Sequence, residues 1–173
     1  MSFFGRLPIS LLVLAGALGL TACANYRLGT GPKLTFATLY IAPATSEVLL
    51  PQARALVTTQ VRDAFIRDGR ITLVDSPDAA EATLHLTLTS YGRDVAVVRP
   101  EDVGLARRLD LNLTASATLT DNRTKQPLFA KRTITASRGA LVDGGQLQAE
   151  YQTLPLLAAK LADDTVHAVL DTW

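Results

Sequence analysis

Strict alternation of apolar and polar residues in the middle of the chain constrains its fold more than any other feature. From position 109 to 120 every odd residue is leucine or alanine, and every even residue is Asp, Asn, Thr or Ser. From 84 to 89, leucine alternates in the same way with histidine or threonine. A period of two places successive side chains on opposite faces of a sheet. The pattern therefore predicts long antiparallel strands with a leucine-rich face and a polar face.

A third strand and one irregularity complete this pattern. The turn residues Asp-Asn-Arg-Thr at 121–124 predict a reversal of the chain. Residues 128–137 then return, with Lys131 and three hydroxyl residues on one parity. In the first strand the apolar parity switches near Tyr91 and Gly92. Such a switch predicts a β-bulge or a bend at that point.

The segment before these strands predicts two short strands and one helix. Residues 34–42 are rich in β-branched and aromatic residues and end at Pro43, which is typical of a strand. From Gln52 to Asp68 apolar residues recur every three or four positions, and Gly69 follows, which predicts an amphipathic helix. Residues 71–74 predict a short strand, and the turn residues at 75–78 follow it.

A second helix is predicted at the carboxy-terminal end, after the break at 143–145. Its broad apolar stripe runs from Leu154 to Leu170. Pro155 leaves two possibilities: the helix begins near Thr153 with the proline in its first turn, or a longer helix from Gln146 is kinked. The first possibility is the preferred prediction.

Together these elements predict an α+β fold, with a mainly antiparallel or mixed sheet of about four to five strands and two helices packed on one face. The leucines would face the helices and leave a polar face exposed. That face comprises His85, Thr87, Thr89, Asn112, Thr114, Ser116, Thr118, Lys131, Thr133, Thr135 and Ser137. It is either a solvated surface, since threonine combines strand propensity with polarity, or a wall that meets another protein in a confined wet space. Composition alone does not choose between these interpretations.

The amino terminus carries signals for export. The apolar run after Arg6 is shorter than the roughly 20 residues that span a bilayer, and it predicts a signal peptide over residues 1–22. Its end, Leu-Thr-Ala before Cys23, resembles the lipobox of bacterial lipoproteins, which are cleaved before the cysteine and lipidated on it. Cys23 is the only cysteine and has no disulfide partner. The alternative is an ordinary secretory signal followed by an incidental or buried thiol.

The predicted organisation is a signal peptide over 1–22, a lipidated tether over 23–33 and a single α+β domain over 34–173. The mature chain is long enough to bury a core of ordinary size. Ala24 stands where enterobacterial lipoproteins retained in the inner membrane typically carry aspartate. The expected location is therefore the periplasmic face of the cell outer membrane, with the protein held by its lipid anchor.

The charge of the chain argues against nucleic acid as a partner. There are 17 Lys and Arg residues and 16 Asp and Glu residues, so the loss of Arg6 with the signal peptide leaves the two signs balanced. Without a basic excess, the release of counterions cannot drive binding to nucleic acid.

Several segments resemble one family of envelope proteins. Cys23 is followed by Ala-Asn-Tyr-Arg-Leu, which places an aromatic and a basic residue close behind the lipobox. Leu-Tyr-Ile-Ala-Pro at 39–43, Leu-Val-Asp-Ser-Pro at 73–77 and Ala-Ala-Glu-Ala-Thr-Leu at 79–84 come next, and a helix after a Gly-rich turn comes last. In this order they resemble the LptE lipoproteins of the lipopolysaccharide translocon. Many members have Gly-Tyr after the cysteine, and this chain departs from that pattern.

The resemblance implies a small domain that plugs a large outer-membrane β-barrel protein (LptD-like), helps the barrel assemble, and contacts lipopolysaccharide during its insertion at the cell surface. A barrel lumen is polar and wet, which suits the polar face. Phosphates and acidic sugars need cations, and seven candidates lie on or beside the long strands: Arg93, Arg99, Arg107, Arg108, Lys131, Arg132 and Arg138. The first four form the best predicted cluster.

The sequence predicts no catalytic site, no metal site and no cofactor. His85 and His167 stand outside any metal-ligand spacing, and no Gly-x-Ser-x-Gly nucleophile motif occurs. Two other functions stay open: an auxiliary lipoprotein of a periplasmic ABC-type lipid-transport complex, and a purely structural envelope lipoprotein. Purification of the native protein distinguishes the three functions. Recovery with a large barrel supports the translocon, recovery with an inner-membrane ATPase complex supports the transport complex, and recovery alone supports the structural lipoprotein.

Overall fold

A computed structural model describes residues 34–99 and 102–171 of the chain. They form one mixed sheet with the strand order β3-β1-β4-β5-β6, and β2 pairs with β4 beyond the end of β1. The strands are β1 Thr38–Ile41, β2 Thr45–Ser46, β3 Thr72–Val74, β4 Ala82–Arg99, β5 Asp102–Asp121 and β6 Pro127–Leu141. A single 3-10 turn, Pro77–Ala79, precedes β4.

The helices are α1, Pro51–Asp68, and α2, Gln146–Leu170. Proline is tolerated at the first position of α1 because its missing N–H would have no partner within the helix. Gly69 ends this helix in the left-handed region, with φ 74°, and its N–H donates to the carbonyl oxygen of Phe65. The predicted bounds of α1 are therefore confirmed to within one residue.

The preferred start of α2 near Thr153 is wrong, because the helix begins at Gln146 and contains Pro155. A proline inside a helix removes one backbone hydrogen bond and crowds the carbonyl four residues earlier, here that of Tyr151. Both residues are exposed, so the disturbance lies on the solvent side of the helix. The opposite side buries Ala149, Thr153 and Leu154, and this packing extends the helix through the proline.

The predicted α+β fold with two helices on one face of a mixed sheet is confirmed. Strands β4, β5 and β6 form an antiparallel meander, while the short β1 lies parallel to both β3 and β4. The observed β1 is shorter than the predicted segment 34–42, although Phe36 before it is buried in the core. Strand β4 has 18 residues, and it pairs along its length with β5, which has 20.

The core lies between the leucine-rich face of the sheet and the two helices. Leu84, Leu86 and Leu88 of β4 are at most 2% exposed, and the odd residues of β5 from Leu109 to Leu119 are at most 4% exposed. They share one cluster with Val57, Val61 and Phe65 of α1 and with Leu157 and Leu161 of α2. The alternation in the sequence thus identified the buried face correctly.

Several register shifts interrupt the regular pairing of the long strands, and two of them, at Thr89 of β4 and at Ala130 and Lys131 of β6, bear on the site. In β4 the register shifts at Thr89, between Leu88 and Ser90, which is two residues before the predicted position. In β6 Ala130 and Lys131 together oppose Thr118. Lys131 has a φ of 52°. A bulge can require this backbone conformation, but residues other than glycine rarely adopt it.

Candidate partner interface

One face of the sheet carries polar side chains across four strands, and both helices pack against the opposite face. We call it the hydroxyl face, and its members are Thr45, His85, Thr87, Ser90, Asn112, Thr114, Ser116, Thr118, Thr133, Thr135 and Ser137. Directly opposed residues lie side by side across the strands, as in the row Ser90, Thr114 and Thr135. These side chains are exposed or half-buried, and none of them is an acid, a lysine or an arginine.

The side chains of the hydroxyl face are organised by hydrogen bonds between strands. The hydroxyl oxygens of Thr114 and Thr135 are 3.1 Å apart, and those of Thr45 and Thr87 are 2.9 Å apart. Each hydroxyl can donate once and accept twice, so these contacts leave capacity for a partner. Because the rotamers of β-branched threonine are restricted, the face presents a wall of fixed polar groups.

Charged residues mark the end of this face nearest the β4–β5 turn. The side-chain nitrogen of Asn112 donates to Asp94 at 2.6 Å, and the guanidinium of Arg108 lies 3.2 Å from Asp110. The same guanidinium lies over Gly139, where an added Cβ would come within 2.7 Å of it. Arg108 is thus placed on the hydroxyl-face side and partly neutralised by a neighbouring acid.

Arg93 lies on the other side of the sheet, under the first turns of α2. Its Nε is 2.7 Å from the Glu150 carboxylate, which also accepts from the Tyr91 hydroxyl at 3.1 Å and from the Gln146 amide at 2.8 Å. Burial and the hydrogen bond to Glu150 raise the pKa of Tyr91 to about 12. Burial alone would raise the pKa of Glu150, but hydrogen bonds from Gln146, Arg93 and Tyr91 outweigh it and lower that pKa.

An apolar groove of about 320 Å³ opens beside this ion pair. Leu50, Leu147, Tyr151 and Leu154 form its apolar lining, and the side chains of Leu147 and Tyr151 are exposed. Sequence reasoning missed this groove because it began the helix near Thr153. The spacing of Leu147, Tyr151 and Leu154, four and then three residues apart, is the helical signal that could have revealed it.

The remaining predicted cations are scattered along the meander. Arg107 lies 3.9 Å from Asp143, in the connection between β6 and α2. Lys131 occupies the bulge of β6, and Arg138 is exposed on the side of the sheet that faces the helices, opposite Leu111. Arg99 is the last residue of β4.

Arg132 is held by the protein itself. Its guanidinium stacks on the ring of Phe129 at 4.1 Å and donates to the carbonyl oxygen of Ala168 in α2. Arg93 lies on the helix side of the sheet and Arg108 on the hydroxyl-face side, so the sheet separates them. The seven predicted cations thus do not form a single cluster. Cys23 lies outside the described residues.

Removing the Arg93 guanidinium should leave the Glu150 carboxylate without its ionic partner in a site where only 13% of its side chain is exposed. We expect Arg93→Ala to lower the free energy of unfolding by about 1–2 kcal/mol, because a largely buried charge then loses a charged hydrogen bond. Urea unfolding followed by circular dichroism measures this loss. Arg107→Ala, which removes a longer and more exposed contact, should cost less than about 0.5 kcal/mol. Equal losses for the two variants would contradict the assignment.

Metal-binding clusters and membrane-spanning helices are two further kinds of feature that the described residues could contain. Within residues 34–99 and 102–171, no group of three His, Cys, Asp or Glu side chains is arranged to hold a metal ion. In the same part of the chain, no helix combines the length and the apolar character needed to cross a membrane.

A comparison against protein families finds one model that matches this domain. The model of the family described as "LptE: Lipopolysaccharide-assembly" matches residues 36–169, which is most of the chain. The chain belongs to the LptE family. Membership of LptE, a family of non-enzymatic lipoproteins, gives the chain a role in lipopolysaccharide assembly at the cell envelope. A comparison with curated proteins found no match to this LptE chain.

Solved structures share the architecture of the LptE chain. A protein from Xanthomonas campestris matches with a TM-score of 0.60 and 13% identity, over 82% of this chain and 87% of that one. Lipoprotein B from Nitrosomonas europaea matches with a TM-score of 0.53 and 17% identity, over 84% of this chain and 88% of that one. A minor lipoprotein from Acinetobacter baumannii matches with a TM-score of 0.52 and 16% identity, over 79% of this chain and 94% of that one. At these identities the likeness shows the fold alone.

Proposed function

We propose that the protein is an outer-membrane lipoprotein that plugs a β-barrel lipopolysaccharide translocon of the LptD type and helps it to assemble. In this proposal residues 1–22 are a signal peptide, Cys23 carries the lipid anchor, 23–33 is the tether, and the domain from 34 to 173 lies in the barrel at the periplasmic side. The protein performs no catalysis there, and lipopolysaccharide passes in contact with it.

The observation that carries the proposal is the hydroxyl face. A solvated sheet face usually includes lysine, glutamate or arginine, because these residues dominate protein surfaces. Here the hydroxyl face presents hydroxyls, an amide and one histidine on four adjacent strands, and the charged residues Asp94, Arg108 and Asp110 lie only at the end nearest the β4–β5 turn. The inner wall of a large outer-membrane barrel is polar, so such a face can form hydrogen bonds with it without burying an unpaired charge.

A bulky charge in the centre of the hydroxyl face should separate the protein from its barrel. Thr135 is exposed in the middle of β6, and Thr59 is equally an exposed threonine on α1. We expect Thr135→Arg to reduce co-purification with the barrel at least about tenfold, because an arginine buried without a partner costs several kcal/mol. Thr59→Arg is the matched control and should co-purify normally. The readout is the amount of barrel recovered with detergent-solubilised tagged protein.

Three results of this experiment would contradict the plug. Loss of the barrel with both variants would show a general defect rather than an interface. Recovery of the unmodified protein with an inner-membrane ATPase complex would favour the transport-complex alternative. Recovery of the unmodified protein alone would favour a structural envelope lipoprotein.

For lipopolysaccharide, we infer that Arg107 and Arg108 near the β4–β5 turn contribute to binding, with Arg99 on the adjacent strand. Among the described residues, the ion contact of Arg107 is a long one of 3.9 Å to Asp143, so its charge is available to a phosphate. Replacing both Arg107 and Arg108 with glutamate should weaken binding of purified lipopolysaccharide by about tenfold or more. The control, Arg62→Glu with Arg67→Glu on α1, makes the same charge change elsewhere. Unchanged binding in the first variant would remove both residues from the site.

A further inference from the structure

The outer edge of β6 is the open end of the sheet. Among the described residues, β6 pairs with β5 on one side only. The N–H of Val142 donates to the carbonyl oxygen of Arg107 at 3.0 Å, which continues the β5–β6 ladder by one pair. Hydrogen-bonded pairs alternate along an antiparallel ladder, so the even residues of β6 from 132 to 142 bond to β5. The backbone N–H and C=O groups of the odd residues therefore point outward: Thr133, Thr135, Ser137, Gly139 and Leu141.

The pairing of β5 with β4, on the side away from β6, confirms this alternation of hydrogen-bonded residues. On the far side of β4, the carbonyl oxygens of Leu84 and Leu88 accept from Ala42 and Glu47. Up to Leu88 the even residues of β4 thus bond away from β5, and its odd residues bond to the even residues of β5. Past the bulge at Thr89, the even residues of β4 pair with the even residues of β5 instead. That leaves the odd residues of β5 to bond to β6, in agreement with the Val142 contact.

Only the first half of this edge is protected against the addition of another strand. Proline and bulges on edge strands prevent such pairing. Pro127 begins β6, and the bulge at Ala130 and Lys131 interrupts it. From Arg132 to Leu141 the register is continuous over ten residues, and the five residues with outward backbone groups are all exposed. This half of the strand therefore offers a continuous row of outward backbone N–H and C=O groups to a new strand.

The charge on β6 selects the partner. The strand contains Lys131, Arg132 and Arg138 and no acidic residue. Arg132 is engaged with Phe129 and Ala168, but neither Lys131 nor Arg138 forms an ion pair with any described carboxylate. A second copy of β6 would bring six cations together without an acid, which is unfavourable for directly opposed strands. An acidic strand would instead complement them.

We propose that the edge of β6 from Thr133 to Leu141 binds an extended, acidic segment of another protein by β-strand addition. Backbone hydrogen bonds from the five odd residues supply affinity, and acidic side chains beside Arg138 and Lys131 select the segment. This surface is the rim of the sheet. Thr133, Thr135 and Ser137 contribute side chains to the hydroxyl face, but the added strand would bind their backbone groups. The proposal requires neither the barrel nor lipopolysaccharide.

The test uses the full-length lipoprotein in detergent and two labelled nine-residue peptides. One alternates Thr or Val with Glu, and the other has Lys in place of each Glu. We expect the acidic peptide to bind about tenfold more tightly, as measured by fluorescence anisotropy. Ser137→Pro removes one outward N–H without removing a bond to β5, and should weaken this binding about tenfold. Ser137→Ala keeps the N–H and should bind like the unmodified protein.

A charge reversal decides the question even if the proline variant folds poorly. Arg138→Glu leaves the backbone unchanged and should invert the preference, so that the lysine peptide binds more tightly than the acidic one. Equal binding of the two peptides to the unmodified protein, or an unchanged preference in Arg138→Glu, would overturn the proposal. Self-association in sedimentation that Ser137→Pro abolishes would also overturn it, because a second copy would then be the occupant.

Discussion

Replacing Leu161 with alanine should destabilise the domain by about 2–5 kcal/mol. Leu161 lies in the middle of α2, and none of its surface is exposed. It belongs to the core between the helices and the leucine-rich face of the sheet. Truncation removes buried methyl and methylene groups and leaves a cavity, because close-packed neighbours cannot collapse completely into the space. Such a loss is a large fraction of the roughly 5–15 kcal/mol by which a typical native protein is stable.

The control for this prediction lies on the same helix. Leu156 is 59% exposed, and Leu156→Ala makes the same chemical change without opening a cavity. Since alanine also favours helix slightly more than leucine does, the free energy of unfolding should change by less than about 0.5 kcal/mol. Urea unfolding followed by circular dichroism compares the two variants. Similar losses at both positions would mean that α2 does not pack on the sheet as described.

The sheet could be predicted well from the sequence because alternation depends on one simple physical requirement. Each strand of the meander buries one face, so leucine and alanine must recur at every second residue. A bulge changes which parity is buried, and the parity switch near Tyr91 and Gly92 announced one. Its location was two residues too late, because Thr89 to Gly92 contains no long aliphatic residue that would show where the switch begins.

The candidate cations were harder to place because arginine tolerates either face of a sheet. The bulge at Thr89 turns Arg93 toward α2, where Glu150 is its partner. Glu150 belongs to the helical turns that the sequence prediction omitted on account of Pro155. The position of Arg93 thus depends on a contact between residues 57 positions apart, and no local pattern contains that contact.

In the proposed function, the lipid anchor and the two binding surfaces of the sheet contribute to partner binding in different ways. In the two proposals, the hydroxyl face and the β6 edge each bind a partner through hydrogen bonds, which give selectivity more readily than strong affinity. Anchoring compensates for modest affinity, since it confines the protein to the membrane and raises the effective concentration of any partner held there. In the proposed function, Cys23 therefore contributes to binding through the lipid that it carries.

Replacing Cys23 with alanine should abolish lipidation and, with it, stable attachment to the membrane. Burial contributes about 0.8 kcal/mol per methylene group, so each long acyl chain provides on the order of 10 kcal/mol and two or more chains anchor a protein durably. Incorporation of labelled palmitate should fall to background in the Cys23→Ala variant. Recovery of barrel with the tagged protein should fall at least about tenfold as the local concentration is lost.

The decisive form of this experiment separates anchoring from export. An uncleaved signal peptide could itself hold the variant in the membrane, so residues 1–22 are also replaced by a secretory signal that ordinary signal peptidase removes. Cys23→Ala should then be recovered as soluble periplasmic protein, while the parent with its own signal and cysteine stays in the outer-membrane fraction. The circular dichroism of the released domain should match that of the parent, because the core cluster of the described residues, from Phe36 to Leu170, is kept in both forms. Continued sedimentation of the released form with outer membranes would show that contacts within the domain suffice for attachment, and the anchor would lose its proposed part in binding.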